Sequence, residues 1–405
     1  MTSFDTSPQL GFWRALLALA VVFVMLTTSG WTALRHHRST SALQSALADW
    51  EHGRLHGLPL PDPHSSPARL ARFFASLTAQ ERRGLARHYP LAVGNMNGAP
   101  VALRYRANRA ALAEAVGTES ARMHDPRLTP DGKRQAGRRM HRFQSLLRSG
   151  RQILAFDPAG SGRAAEVFGD LGTARRISVV VPGVDTNLLT FERTARRYTA
   201  PVGMGQALYA AEHASRPSVR TAVIAWADYT APAGLGIDSA TAMRAEEGAV
   251  RLDALLRALP GRAPVALFCH SYGSVLCGVA AHRLPDRVTD IAVAASPGMR
   301  AGKASGLGTS ARVWAMRDAT DWVRDVPYLE FGGLGHGEDP VSAAFGARVL
   351  SARDARGHAG YFEPGTDSLR NLADIGSGAY RSVECAREDG ACRTGLPGRS
   401  AAGRA

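Results

Sequence analysis

The sequence predicts an α/β domain, a mostly parallel sheet with helices on both faces. Three observations predict it. From residue 151 onward, short apolar runs of strand length recur at Ile153–Phe156, Ile177–Val181, Thr221–Trp226, Val265–Phe268, Val288–Ala294, Arg312–Met316 and Ala347–Ser351. Helical or Gly/Pro-rich stretches separate most of them, the alternation of a parallel sheet covered on both faces. Residues 240–259 illustrate the helices, with Met243, Leu252, Leu255, Leu256 and Leu259 on one face. Finally, the apolar run from Val265 stops at Ser271, flanked by His270 and Tyr272. Gly273 follows, then Val275, Leu276, Val279 and Ala280 at helical spacing.

That last stretch organises the rest. A hydroxyl at the apex of a strand–turn–helix is how a nucleophile elbow lifts a serine out of a sheet. Small residues are needed around the turn because strand and helix backbones nearly touch there. Gly273 fills one such position, and Cys269 stands where the pattern G-x-S-x-G has its first glycine. The plainer alternative is a buried strand and helix with an incidental serine.

A serine hydroxyl is a poor nucleophile near neutral pH, so it needs a base, and the base needs an orienting acid. In the α/β-hydrolase plan these follow in the order Ser, acid, His. The acid is expected just after the second strand beyond the elbow strand. Arg312–Met316 is that strand, and Asp318, Asp321 and Asp325 follow it. Asp321 is favoured because Val323, two positions on, can pin its loop against the core. Asp318 is the alternative acid, and it also suits the N-cap of the next short helix. The base is expected beyond one further strand, Ala347–Ser351. Only His336 and His358 lie beyond the acids, and only His358 lies beyond that strand. The oxyanion of such a reaction needs preorganised N–H donors. One is expected from Tyr272; the other from Val184, where the apolar strand Val179-Val180-Val181 ends in Pro182-Gly183. Asp185 is expected to order this loop or contact substrate. His270 and His336 are candidates for lining the site, His336 alternatively pairing with Asp339 in a turn. No metal is expected there, since no third ligand is nearby, and no cofactor is expected. Gly160-Ser161-Gly162 and Gly332-Gly333-Leu334-Gly335 lack the features of phosphate loops and read as turns.

The chain has 405 residues, 45% hydrophobic and 21% charged, enough to bury one large core plus appendages. Its net charge of +14 is almost all arginine, lysine occurring only at Lys133 and Lys303. The arginines are scattered without blocks or interleaved aromatics, which argues against a nucleic-acid partner and leaves attraction to anionic lipid head groups. Of four cysteines, Cys385 and Cys392 suit a small disulfide loop in an oxidising compartment. Cys269 and Cys277 read as small core hydrophobes.

Ahead of the sheet, Ala15–Leu34 is an uncharged, mostly apolar run of 20 residues, long enough to span a bilayer as a single-pass anchor. Its small and polar end also fits a signal peptide. The favoured organisation is an anchor or signal segment at 1–38, a Pro-rich linker at 39–67 and a helical extension at 68–150. The catalytic domain follows at 151–380 and a polar tail at 381–405. Within the extension, Thr78 and Glu81 form a capping box, and a helix is expected around Asn108–Val116.

Several motifs together are specific. They are Val93-Gly94-Asn95-Met96-Asn97-Gly98-Ala99-Pro100 with Arg104 and Ala107-Asn108-Arg109, and Val181-Pro182-Gly183-Val184-Asp185-Thr186. Further along come His270-Ser271-Tyr272-Gly273-Ser274, Ser296-Pro297-Gly298-Met299, Gly335-His336-Gly337-Glu338-Asp339-Pro340 and Gly357-His358-Ala359-Gly360-Tyr361. On these residues the chain resembles a family of actinobacterial α/β-hydrolases of the DUF1023 type over roughly residues 73–378. The family usually carries glycine where Cys269 stands. The resemblance implies the hydrolase fold and the Ser271/His358 pairing, and it supplies no substrate.

The expected protein is therefore a serine esterase or lipase-like hydrolase, membrane-anchored or secreted, acting on a small-molecule or lipid ester. A non-catalytic, membrane-anchored binding module of the same fold is the rival reading, and acyl transfer to an acceptor other than water a third. Residues 187–216, with Leu188, Leu189, Phe191, Tyr198, Pro201 and Met204, are expected either as an apolar lid or as a packing helix and loop.

Overall fold

A computed structural model describes residues 41–386 and 391–396. The apolar run Ala15–Leu34 lies outside the described residues. Among the described residues no helix is long and apolar enough to cross a membrane.

Residues 39–67 were expected as a linker, but from Ser41 onward they are folded. Ser41 and Gln44 form a capping box that starts helix α1 (Ala42–Glu51), and a two-residue hairpin pairs Arg54–Leu55 with Leu58–Pro59. The reason is Trp50. Its side chain is fully buried against Phe73, Phe74 and Tyr89, and its indole N–H donates to the Pro61 carbonyl at 2.7 Å. An aromatic of this size is worth several kilocalories per mole of burial, on the order of 3–5 kcal/mol when deleted from a core. The prolines serve this packing, with Pro67 opening α2 (Pro67–Ser76) behind the Ser66 cap.

The Thr78–Glu81 capping box starts α3 (Ala79–His88), the Thr78 Oγ1 accepting from Glu81 N–H at 3.2 Å. After α4 (Pro90–Asn95), the helix expected near Asn108 runs much further, as α5 (Val101–His124), and α6 (Pro130–Leu146) follows. Two asparagines fasten this extension to the first strand of the sheet. Asn95 pairs with both backbone groups of Phe156, and Asn108 donates to Ile153 O and Gly94 O.

The main sheet has eight strands: β1 (Gln152–Asp157), β2 (Arg163–Gly169), β3 (Arg176–Val181), β4 (Thr221–Ala227), β5 (Val265–His270), β6 (Val288–Ala294), β7 (Arg312–Met316) and β8 (Arg348–Val349). Their spatial order is β8-β7-β6-β5-β3-β4-β2-β1. β2 is antiparallel to both β1 and β4, and the other pairs are parallel. Period-two alternation sorts the core. Val179, Val181, Leu267 and Cys269 face Leu252, Leu256, Val275 and Leu276 of α8 (Met243–Ala258) and α9 (Tyr272–Ala280). Val180, Ala266 and Phe268 face Met204, Leu208, Leu369 and Leu372 of α7 (Pro201–Ser215) and α10 (Asp367–Ser377).

Two helix expectations change. Met243 does not join the buried face of α8 and is 54% exposed, because the core contact begins two residues later at Ala245. Residues 187–216 are packing at most of their apolar positions, with Leu189 and Tyr198 only half-buried. Leu188, Phe191, Val202, Met204 and Leu208 are buried in the core on which α7 sits. The two glycine-rich stretches are turns: Gly160 and Gly162 carry positive φ between β1 and β2, and Gly332 and Gly333 do so in a hairpin pairing Phe331 with Leu334.

Candidate functional site

Ser271 stands between β5 and α9 with φ 56° and ψ −129°, a backbone conformation that L-residues rarely adopt. The geometry is held sterically. A Cβ on Gly273 would come within 2.3 Å of the Val181 carbonyl, and one on Gly183 within 2.6 Å of the Ser271 Cβ. Both glycines are required for the close approach of β3 to the turn. Below the turn, Ser274 Oγ donates to the Ser271 carbonyl at 2.6 Å and pairs with Ser296 Oγ at 2.7 Å.

Cys269 and Cys277 correct their sequence reading. They are buried, as expected, but they are bonded to one another. The strand end and the second turn of the helix present their side chains to the same buried seam, with Cα atoms 6.5 Å apart. Cys385 and Cys392 form the second disulfide, so all four cysteines of the chain are paired.

The three distant side chains meet. His358 lies in a short 3₁₀ segment, Gly357–Phe362, beyond β8, and its Nε2 is 2.8 Å from Ser271 Oγ. Its Nδ1 is 2.9 Å from Asp321 Oδ1. Asp321 is fully buried at the turn after β7 and accepts from Val323 N–H at 3.0 Å and from Tyr361 Oη at 2.7 Å. Burial pushes the Asp321 carboxyl upward, and the hydrogen bonds from His358, Val323 and Tyr361 outweigh it, leaving the group below its ordinary value. The indole of Trp322 lies against the His358 ring, with centroids 4.7 Å apart, and is 45% exposed.

Asp318 has a different place. Its Oδ1 accepts from Thr320 N–H and from Gly357 N–H, each at 3.0 Å, and its own N–H donates to Tyr361 Oη at 2.8 Å. It clamps the two loops together, while the His358 ring pairs with Asp321 instead. His270 is likewise behind the site. Its Nε2 lies 2.7 Å from the His358 carbonyl, which can only accept, so that nitrogen carries the proton. Burial, with a smaller contribution from His358, pushes the His270 imidazole down to about 4, and it is neutral near pH 7. His336 is buried with Nε2 donating to the Ser239 carbonyl at 2.7 Å and its ring 5.7 Å from that of Tyr272; burial lowers its pKa. It supports the ring beside the serine and does not join the Ser–His–Asp chain.

Tyr272 opens α9, so its N–H is one of the first-turn donors without an intrahelical acceptor. Its hydroxyl donates to the Thr241 carbonyl at 2.7 Å. Val184 follows Gly183, which packs on Ser271, and among the described residues the Val184 N–H makes no backbone hydrogen bond. Tyr229 fixes this loop by donating to the Pro182 carbonyl at 2.6 Å. Asp185, at φ 59°, orders the loop. Its Oδ1 accepts from Gly234 N–H at 2.7 Å, its N–H donates to the Pro232 carbonyl at 2.8 Å, and its carbonyl accepts from Thr190 at 2.7 Å. No group of three His, Cys, Asp or Glu side chains able to hold a metal occurs among the described residues.

Sequence reasoning missed Tyr361, Trp322 and Tyr229. Their positions carried a signal, Tyr361 three residues after His358 and Trp322 one after Asp321, but nothing in the pattern says which way either ring turns.

Residues 157–331 match the model of an alpha/beta hydrolase family. Two uncharacterised proteins from strains of Mycobacterium tuberculosis are 26% identical to this chain, with 79% of it covered. The chain spans 57% of the length of these relatives. Among solved structures, a serine hydrolase without a lid from Xanthomonas campestris is similar at 10% identity and a TM-score of 0.33, covering 57% of this chain and 96% of that one. A 2,6-dihydroxy-pseudo-oxynicotine hydrolase is similar at 14% identity and a TM-score of 0.35, covering 83% and 93%. The family match and the eight-stranded, mostly parallel sheet agree on an alpha/beta hydrolase fold.

Proposed function

We propose that this chain is a serine hydrolase that cleaves an ester through Ser271, His358 and Asp321. One observation carries the reading: the unbroken hydrogen-bonded chain from Ser271 Oγ through both nitrogens of His358 to a buried carboxylate. His358 Nδ1–H donates to Asp321, which leaves the Nε2 lone pair to take the serine proton as Oγ attacks the carbonyl carbon. The imidazolium is then stabilised by the Asp321 carboxylate. The Val184 and Tyr272 N–H groups meet the oxyanion, a contribution on the order of 3–4 kcal/mol per donor in comparable sites. The leaving alcohol takes the proton from Nε2. Water, deprotonated by the same nitrogen, releases the acid from the acyl-enzyme.

The substrate reading is an apolar ester. Trp322 presents an exposed indole edge beside His358, and Leu235 and Phe331, on the loops that follow β4 and β7, are 73% and 84% exposed. We place the chain with the DUF1023-type hydrolases on the motifs quoted above, and outside the reducing cytosol. The two disulfides support that location, as does the apolar run Ala15–Leu34 as anchor or signal.

A fluorophosphonate probe tests the chemistry. The wild-type chain should be labelled, and Ser271→Ala should abolish labelling without changing the fold by circular dichroism. Folded wild-type protein that takes no label would sink the enzyme reading and leave the binding module. A chain-length series of esters then reads the acyl preference.

A further inference from the structure

We propose that the Cys269–Cys277 disulfide is a positioning element of the nucleophile, doing covalently what close packing around a small residue does in an ordinary elbow. The inference rests on Ser271 being the nucleophile.

The steric argument comes first. At the elbow, β3, β5 and α9 converge so closely that Gly183 and Gly273 have no room for a side chain. The position two before the serine faces the same seam, and the common pattern there is glycine. Cys269 sits in this position, only 1% exposed, and its sulfur reaches across to Cys277, which is fully buried on α9. The bond joins the strand before the serine to the helix after it, across a sequence separation of 8. Ser271 lies inside the closed ring. It is the ring's residue in the unfavourable region, at φ 56° and ψ −129°. A backbone held in such a conformation persists only where its surroundings over-determine it.

Two further features fit a positioning role. The crosslinked residues flank Ser271 along the backbone, so the bond acts on where Oγ stands. Oγ has to stay within 2.8 Å of His358 Nε2, and His270, inside the same ring, carries the hydrogen bond to the His358 carbonyl. Loosening the ring therefore disturbs both sides of the Ser–His contact. The second disulfide, Cys385–Cys392, ties the tail beside β8 and encloses no site residue. It supplies an internal control.

The experiment compares the full chain with Cys269→Ala/Cys277→Ala and with Cys385→Ala/Cys392→Ala. Alkylation of the denatured, unreduced wild type should first leave Cys269 and Cys277 unmodified. Phosphonylation by the fluorophosphonate probe is then followed over a concentration series, which separates probe affinity from the rate constant of attack. The elbow variant should keep its circular-dichroism spectrum and its probe affinity while the attack rate falls by about 10- to 100-fold, the scale of small misplacements at reacting centres. The tail variant should attack at the wild-type rate. If the alanine pair does not fold, Cys269→Val/Cys277→Ala restores core volume without the bond and is measured the same way. Free thiols at 269 and 277 in active wild type would overturn the proposal. So would a wild-type attack rate in the elbow variant, or an equal loss in the tail variant. A wild type that takes no label overturns instead the nucleophile assignment on which the proposal stands.

Discussion

Tyr361 Oη donates to Asp321 Oδ2 at 2.7 Å while accepting from the Asp318 N–H at 2.8 Å. The tyrosine thus occupies the acid's outer oxygen and ties it to the neighbouring aspartate's backbone. Its own hydroxyl is pushed far up by burial, so it stays a donor throughout the working range. Tyr361→Phe removes that donor and leaves a buried carboxylate oxygen without its partner. Asp321 loses one of the bonds that hold it below its ordinary value, so the Asp–His unit takes a proton more readily. The acid limb of the kcat/KM profile should move to higher pH, and kcat should fall about tenfold, roughly the 1–2 kcal/mol of one buried hydrogen bond. An unmoved acid limb would count against this role.

Asp321 and Asp318 separate by substitution. Asp321→Asn keeps the shape but disfavours the His358 tautomer that donates from Nδ1, and losses near 10⁴-fold in kcat accompany that change in serine triads. Asp318→Asn removes charge from a loop clamp whose contacts are to Thr320 and the Gly357 N–H. A loss of less than about tenfold is expected, on the scale of one weakened hydrogen bond. Steady-state kinetics of the two variants with one ester checks the pair; equal losses would refute the distinction, and a larger loss in Asp318→Asn would reverse the assignment.

Glu212 predicts a pH dependence of stability away from the site. It is fully buried on α7, where Gly376 of α10 makes room for its carboxyl, and it hydrogen-bonds Ser178 on β3. Burial raises its pKa to about 8 despite that hydrogen bond. The folded state therefore holds a proton that the unfolded chain, at the ordinary glutamate value of about 4.5, has released. Its contribution is fully present below the unfolded value. It is lost as pH rises through the folded one, by about 1.4 kcal/mol per pH unit in that window. Glu212→Gln should flatten this decline, and melting temperatures from about pH 5 to about pH 9 should converge at the acid end and favour the variant at the alkaline end. Parallel curves would refute it.

The positions of most strands along the chain, and of Ser271, Asp321 and His358 beyond them, were legible because β5 and β7 are the apolar runs a buried parallel strand requires, with β8 a shorter, half-buried one. β2 was not. Its sequence, Arg163-Ala164-Ala165-Glu166-Val167-Phe168-Gly169, carries a glutamate at its centre, and Glu166 is buried only because Arg151 pairs with it. A pairing partner fifteen residues away leaves no mark on local periodicity. Trp50 was hidden in the same way, since the proline-rich stretch around it reads as extended until the aromatic cluster it joins is assembled. Cys269 and Cys277 read as apolar fillers because burial and bonding look alike in a sequence. The Ser271 turn was legible from Gly273, whereas the bonds of Tyr361 to Asp321 and of Tyr229 to the Pro182 carbonyl depend on ring directions that only the fold fixes.

Asp185 has a reach beyond its own turn. Its carboxylate holds Gly234 N–H and its N–H holds the Pro232 carbonyl, so the segment presenting Val184 and the one presenting exposed Leu235 are tied through a single residue. A guest molecule pressing on Leu235 is mechanically coupled to the amide that would greet the developing negative charge. Under the proposed reading, contact at the rim would be felt at the centre through the bonds of one aspartate.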